Sequence, residues 1–349
     1  MKKGNTVGMD LGDQNHVVCM LDAEGDVIEQ TKIACTAKAI RKYFEKLEPC
    51  VVAIEAGTHS AWVSRLLEEL GHEVLVGNPR RLRAIWESDE KDDSRDAELL
   101  ARIARLDRKL LHPIHHRGQR AQCDLAVIKA RDMLVKSRSA LIAHTRGSVK
   151  AFGERISPCG ADTFHLRLQQ EMPEDRRPAL EPILKSIEEL TSRIRHYNRV
   201  IEKMGVENYP ETKTLRAVAG VGPLTSLAFV LTLEESARFE KSRDVGPYLG
   251  LTPKRDQSGQ TDKQLAITKA GDALLRRLLV GCAQYILGAF GPDCDLRRFG
   301  LKLAARGGKN AKRRAVVAVA RKLAVLLHRL WKSGATYAPF YQQNRNQAA

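Results

Sequence analysis

The sequence predicts a chain in three parts: an α/β N-terminal domain, a pair of central coiled-coil helices, and a mostly α C-terminal domain. Three observations predict it. Strand and helix signals alternate through the first hundred residues, an apolar seam repeats at heptad spacing between residues 180 and 204, and helical segments meet at a glycine turn near residue 220. At 349 residues the chain is longer than one core usually serves, and 43% hydrophobic residues supply material for more than one.

The N-terminal strands come first. Asn5 to Leu11, His16 to Asp22 and Val27 to Ala34 read as three short strands, with Ala23-Glu24-Gly25-Asp26 as the second hairpin turn. Lys38 to Leu47 reads as a helix, Cys50 to Glu55 as a buried strand, Ser60 to Leu70 as a helix and Glu73 to Val76 as a strand. Asp93 to Leu106 closes the set as a helix with Asp92 or Asp93 near its cap. This order, β-β-β-α-β-α-β-α, is that of a ribonuclease-H-like domain, a mixed sheet flanked by helices.

Residues 107–118 read as a basic linker into a helix from Arg120 to about Val149. A second long helix follows Pro173, Pro178 and Pro182. Its apolar positions Leu180, Ile183, Ile187, Leu190, Ile194, Tyr197, Ile201 and Met204 form the seam, either of a homodimer or of an intramolecular hairpin packed on Arg120 to Val149. Further on, Leu215 to Leu233 holds Ala219-Gly220-Val221-Gly222-Pro223, a turn between two helices. Helix–hairpin–helix elements use such a turn to present backbone N–H groups to phosphate, which makes Gly220 and Gly222 candidate nucleic-acid contacts.

Charge and composition exclude other classes. The longest apolar stretches, such as Leu224 to Leu233, fall well short of a membrane span, and the start MKKGNTVGMD has no signal-peptide core. Seven scattered cysteines without C-x-x-C suggest neither a disulfide framework nor a zinc cluster, and fit a reducing cytoplasm. The net charge of +16 is concentrated at one end: the 54 residues after Asp295 contain 13 Lys and Arg and no acid, leaving residues 1–295 at only +3. A one-signed field of this density calls for a polyanion, most commonly nucleic acid.

Four carboxylates carry the chemistry. Asp10 lies within the apolar strand Val7-Gly8-Met9-Asp10-Leu11, where an unpaired acid is costly. Glu55 ends the run CVVAIE, and Asp93 and Asp96 share one face of a helix start. Together they suit one or two Mg²⁺ ions, hard cations that prefer oxygen ligands and assist phosphoryl transfer. Asp13, Asp89, Glu90 and Asp92 are possible substitutes, Asp92 foremost because it adjoins Asp93.

Five motifs now stand in order: Val7-Gly8-Met9-Asp10, Ile54-Glu55-Ala56-Gly57-Thr58, Lys91-Asp92-Asp93-Ser94-Arg95-Asp96-Ala97, Ala219-Gly220-Val221-Gly222, and Tyr248-Leu249-Gly250-Leu251-Thr252-Pro253 through Ser258-Gly259. In this order and spacing the chain resembles, over nearly its whole length, the DEDD transposases of the insertion-sequence one-ten family. The resemblance implies a RuvC-like domain over residues 1–118, a helical coiled-coil spacer over 119–210 and a C-terminal transposase domain over 211–349. It implies that Asp10, Glu55, Asp93 and Asp96 are the metal-binding catalytic acids and that Ser258 is the catalytic serine forming a covalent link to DNA. By itself Ser258 reads only as a turn residue beside a glycine.

The same resemblance implies a cytoplasmic, nucleoid-associated prokaryotic recombinase directed by a bridge RNA, acting on double-stranded DNA at element ends and target as a dimer or tetramer. Lys254, Arg255, Lys269, Arg276, Arg277, Lys312, Arg313 and Arg314 then become candidate phosphate contacts, on DNA or on guide RNA. Three other readings stay open: a junction-type metal nuclease with water as nucleophile, a site-specific invertase of the same architecture, and a nucleic-acid-binding protein whose catalysis has decayed.

Overall fold

The computed structural model describes residues 4–82, 92–259 and 261–341, and comprises two compact units, Met1–Gly118 and Gln119–Ala349. Asp89, Glu90 and Lys91, singled out in the sequence, lie outside the described residues.

The first unit is a mixed α/β sheet domain. Its elements are β1 (Thr6–Leu11), β2 (Asn15–Leu21), β3 (Val27–Ala34), α1 (Ala37–Phe44), β4 (Val51–Glu55), α2 (Ser60–Glu69), β5 (Glu73–Gly77), α3 (Pro79–Leu82) and α4 (Asp93–Leu106). The strands lie in the order β3-β2-β1-β4-β5, with β1, β2 and β3 antiparallel and β1, β4 and β5 parallel. The expected turn between β2 and β3 is tied by Asp22, whose Oδ1 accepts the backbone N–H groups of Glu24, Gly25 and Asp26 at 2.9, 2.8 and 2.9 Å. Gly25 supplies the positive φ of 100° that the turn requires.

Side chains alternate across the sheet with the strand period. Val7 and Met9 of β1 enter a core with Ile40 and Phe44 of α1 and Val63 and Leu67 of α2. On the other face α4 packs Ala97 and Ala101 with Val17, Cys19 and Leu21 of β2, while its Leu100, Ile103 and Ala104 join Ala53 of β4. The result is a sheet with helices on both faces.

The basic linker is corrected here. Residues 108–111 form a short 3-10 turn, Leu111 is fully buried with Leu82 and Leu100, and Ile114 bridges to Val76 at the edge of β5. Apolar side chains placed among the basic ones dock this stretch onto the first unit.

The second unit is mostly helical. It contains α5 (Gln119–Lys150), α6 (Phe164–Glu171), α7 (Arg177–Asn208), α8 (Glu211–Arg216), α9 (Pro223–Leu233), α10 (Val245–Tyr248), β6 (Pro253–Ser258), β7 (Thr261–Ile267), α11 (Ala273–Leu287), α12 (Asp295–Ala304) and α13 (Ala311–Ser333). The seam on α7 packs within the chain, with α5 and α7 antiparallel: Arg131 bonds Asn198 at 2.9 Å and Arg138 bonds Thr191 at 3.2 Å. Leu180, Ile187, Ile194 and Ile201 of the predicted seam are buried, joined by Leu184 and Thr191, while Leu190, Tyr197 and Met204 are half-buried. Helix α9 is buried from Thr225 to Leu233 at the centre of a core that also takes Leu275 and Leu279 of α11 and Val319 and Leu323 of α13.

An antiparallel hairpin of β6 and β7 precedes α11; its first strand, β6, has no apolar alternation in the sequence and every β6 residue is exposed. Lys269, a candidate phosphate contact, stands before α11 with a φ of 54°. Asp272 is the cap, its Oδ1 accepting the Leu275 N–H at 2.8 Å, so α11 begins at Ala273.

Candidate functional site

The strand acids follow from register. Thr6 through Met9 of β1 pair in parallel with Val51 through Ile54 of β4, so Asp10 and Glu55 are the next residues on neighbouring strands. Gly8 and Ala53 face α4, and the two-residue period sends Asp10 and Glu55 to that same face at the C-terminal ends of their strands. Both are half-buried.

The helical acids stand in the first turn of α4, Asp93 exposed and Asp96 half-buried. Asp92 instead holds the helix end: its Oδ1 accepts the Ser94 N–H at 3.0 Å as the cap, and its other oxygen lies 4.0 Å from Arg95. The Gln30 amide donates to the Ser94 carbonyl at 3.1 Å and fastens this end of α4 to β3. Asp13 is likewise engaged. The Trp62 indole, a donor only, points at His59 Nδ1 at 3.2 Å, so Nε2 carries the His59 proton and donates it to Asp13 at 3.0 Å. Nothing in the spacing of His59 and Asp13 foretold this pair.

All four acids therefore occupy one face of the sheet or the first turn of the helix that crosses it. Among the described residues no three His, Cys, Asp or Glu side chains close into a metal-holding group. The fit to a divalent cation rests on donor chemistry: two strand-end carboxylates and two helical ones, all hard oxygen donors.

Ser258 ends β6 in the second unit. It pairs in register with Thr261 across a turn in which Gly259 takes a φ of 54°, and it is exposed at the tip of the hairpin. Lys254 and Arg255 precede it on the same exposed strand.

The remaining candidate contacts separate by environment. Gly220, at φ 81°, packs close to Tyr285 and the Cys282 carbonyl of α11, while Gly222 is the N-cap of α9, followed by Pro223 at its first position. Arg276 donates to the Leu249 and Ala270 carbonyls at 3.0 and 2.8 Å, holding the loop before α11. Arg277 pairs with Asp132 of α5, which Lys136 also contacts at 3.0 Å. Burial opposes charge on Asp132, but these two cations outweigh it and keep its carboxyl below the usual range. Lys312, Arg313 and Arg314 are exposed in the first turn of α13, where the helix dipole disfavours cations and an anion offsets the cost.

Comparisons with known proteins agree with this layout. A family profile described as a transposase matches residues 7–152, and a second, described as the transposase IS116/IS110/IS902 family, matches residues 212–295. The chain is similar to a probable family 20 transposase of Pseudomonas aeruginosa, 28% identical over 95% of this chain and 98% of the relative. It is similar also to the transposase for insertion sequence element IS1111A of Coxiella burnetii, 28% identical over 97% of this chain and 92% of the relative. A third relative is the transposase for insertion sequence element IS1328 of Yersinia enterocolitica, 27% identical over 80% of this chain and 82% of the relative. Sheet domain, helical unit and both profiles define a transposase of the insertion-sequence class. The chain belongs to the IS116/IS110/IS902 family. Among the described residues no helix is long and apolar enough to cross a membrane.

Proposed function

We propose that this transposase cuts and exchanges DNA strands through a covalent serine–DNA intermediate at Ser258, with Asp10, Glu55, Asp93 and Asp96 holding one or two Mg²⁺ ions. The observation that carries the reading is the pairing of Asp10 and Glu55 at adjacent strand ends beneath the helix that bears Asp93 and Asp96. The element order and the strand order β3-β2-β1-β4-β5 support a ribonuclease-H-like, RuvC-type assignment of residues 1–118.

The Ser258 hydroxyl, exposed at a hairpin tip, is accessible to a phosphodiester. Its Oγ forms a bond to phosphorus, the bond from phosphorus to one deoxyribose oxygen breaks, and that oxygen leaves with a proton while serine loses its own. The phosphodiester energy is kept for rejoining. Bound Mg²⁺ would supply Lewis-acid stabilisation of the charge that builds on the phosphoryl oxygens. Residues 119–210 act as the helical spacer and 211–349 as the serine-bearing domain, in a homodimer or tetramer. The basic C-terminal surface supports double-stranded DNA and a bridge RNA as partners, the RNA choosing sequence by base pairing.

The test uses purified protein, its co-expressed flanking RNA, Mg²⁺ and DNA spanning the element end, resolved on a denaturing gel. Wild type yields a protein–DNA adduct that Ser258→Ala does not. Cleaved DNA without an adduct in either lane replaces this reading with a nuclease that uses water.

A further inference from the structure

One groove in the second unit, of about 1150 Å³, is formed by the base of the β6–β7 hairpin on one side and by α12 and α13 on the other. Its apolar lining includes Leu251, Leu265, Leu296, Phe299, Leu303 and Val317. Arg306, Arg313, Arg314, Arg321, Lys322 and Arg329 rim it, and among its described lining residues Asp295 is the only carboxylate. We propose that this groove binds an unpaired DNA strand, the one leading to the phosphate that Ser258 attacks. The choice of DNA rests on the serine reading above.

Charge alone selects a polyanion; the apolar lining selects which kind. A duplex turns phosphates outward and keeps its bases stacked inside, so it would engage the cations and leave the leucines wet. An unpaired strand offers phosphates to the rim and free base faces to the floor. Two aromatic rings of the lining are already covered by cations: Lys322 Nζ stands 3.8 Å from the centre of Phe299, and the Arg329 guanidinium 4.3 Å from that of Tyr341. A base that stacks on either ring displaces the cation toward the adjoining phosphate, and the exchange keeps both contacts satisfied.

The hairpin gives the scale. Pro253, Leu265 and Ile267 belong to both the groove and the hairpin, whose other end carries Ser258. The six residues of β6 span about 20 Å, the distance a strand seated in the groove must run along the hairpin to reach Ser258.

The measurement is fluorescence anisotropy with a labelled twelve-nucleotide oligo-dT, the same length of duplex and the same length of oligo-rU. All binding is done in the Ser258→Ala background, so that covalent capture plays no part. Phe299→Ala is expected to weaken oligo-dT binding about 5- to 100-fold, the range of one lost stacking partner, and to leave the duplex within about twofold. Leu265→Ser, at a residue 49% exposed and therefore cheap to replace, is expected to weaken it in the same selective way without adding charge. Unchanged oligo-dT binding by both variants overturns the groove while leaving the serine adduct standing. Duplex binding that falls as far, or oligo-rU binding that falls further than oligo-dT, overturns the assignment to unpaired DNA. Selective loss on oligo-dT with no Ser258 adduct in wild type keeps the groove and removes the serine reading.

Discussion

Gly8 of β1 lies directly under Ala97 of α4: a Cβ on the glycine would stand 1.9 Å from the Ala97 carbonyl oxygen and 2.5 Å from the Ala101 nitrogen. Both neighbours are backbone, which cannot swing aside. The helix that carries Asp93 and Asp96 approaches the strand that carries Asp10 only because residue 8 has no side chain. Gly8→Ala is expected to lift α4, costing about 1–3 kcal/mol of stability in urea unfolding, and to reduce DNA cleavage further than that loss explains.

Asp92 and Asp93 are separable by their effects. Asp92→Ala removes the helix cap and should cost about 1 kcal/mol, which Asp92→Ser restores, with cleavage retained throughout. Asp93→Asn should leave the unfolding midpoint unchanged and lower the cleavage rate by about a hundredfold or more. The reverse pattern would move the proposed metal-binding role to Asp92.

Arg276 and Arg313 should divide stability from nucleic-acid binding. Arg276→Ala strands the Leu249 and Ala270 carbonyls and is expected to cost about 1.5–3 kcal/mol, with the salt dependence of DNA binding unaltered. Arg313→Ala, at an exposed rim position, should change stability by less than about 0.5 kcal/mol and reduce the slope of log K against log salt by about 0.9.

His16 sets an acid limit on the first unit. It is fully buried, and neither ring nitrogen has a hydrogen-bond partner among the described residues; burial, then the neighbouring His59, lowers its pKa to about 4. Its ordinary value is about 6.5, so between these limits the unfolded chain binds the extra proton and stability falls with falling pH. The contribution is complete above pH 6.5, and about 3 kcal/mol at most is lost by pH 4. Urea midpoints at pH 7 and 4.5 should differ less in His16→Leu than in wild type.

Where a local rule governs, the sequence is readable. The hairpin turn at Gly25, the span of α4 and its Asp92 cap follow from residues within four positions of one another. Asp10 and Glu55 can be singled out because acids ending apolar runs are conspicuous, yet their shared face depends on the β1–β4 register, which no local pattern contains. The hairpin bearing Ser258 is silent because Lys254-Arg255-Asp256-Gln257 has no apolar alternation and buries nothing. The segment after α4 passes for a linker because its basic residues obscure Leu111 and Ile114, whose burial is set by strands far away in sequence. The groove cannot be seen at all, since Leu265, Phe299 and Arg321 meet only in three dimensions.

The exposed strand β6 has one more consequence. A segment that places no side chain in a core contributes little to folding, so a substitution there is not first filtered by whether the protein survives it. In a mutational scan that scores abundance and DNA processing separately, variants of Gly8 or Leu111 should fall on both axes together. Those from Lys254 to Ser258 should scatter along the processing axis alone, so that evolution can adjust the surroundings of Ser258 without renegotiating the fold.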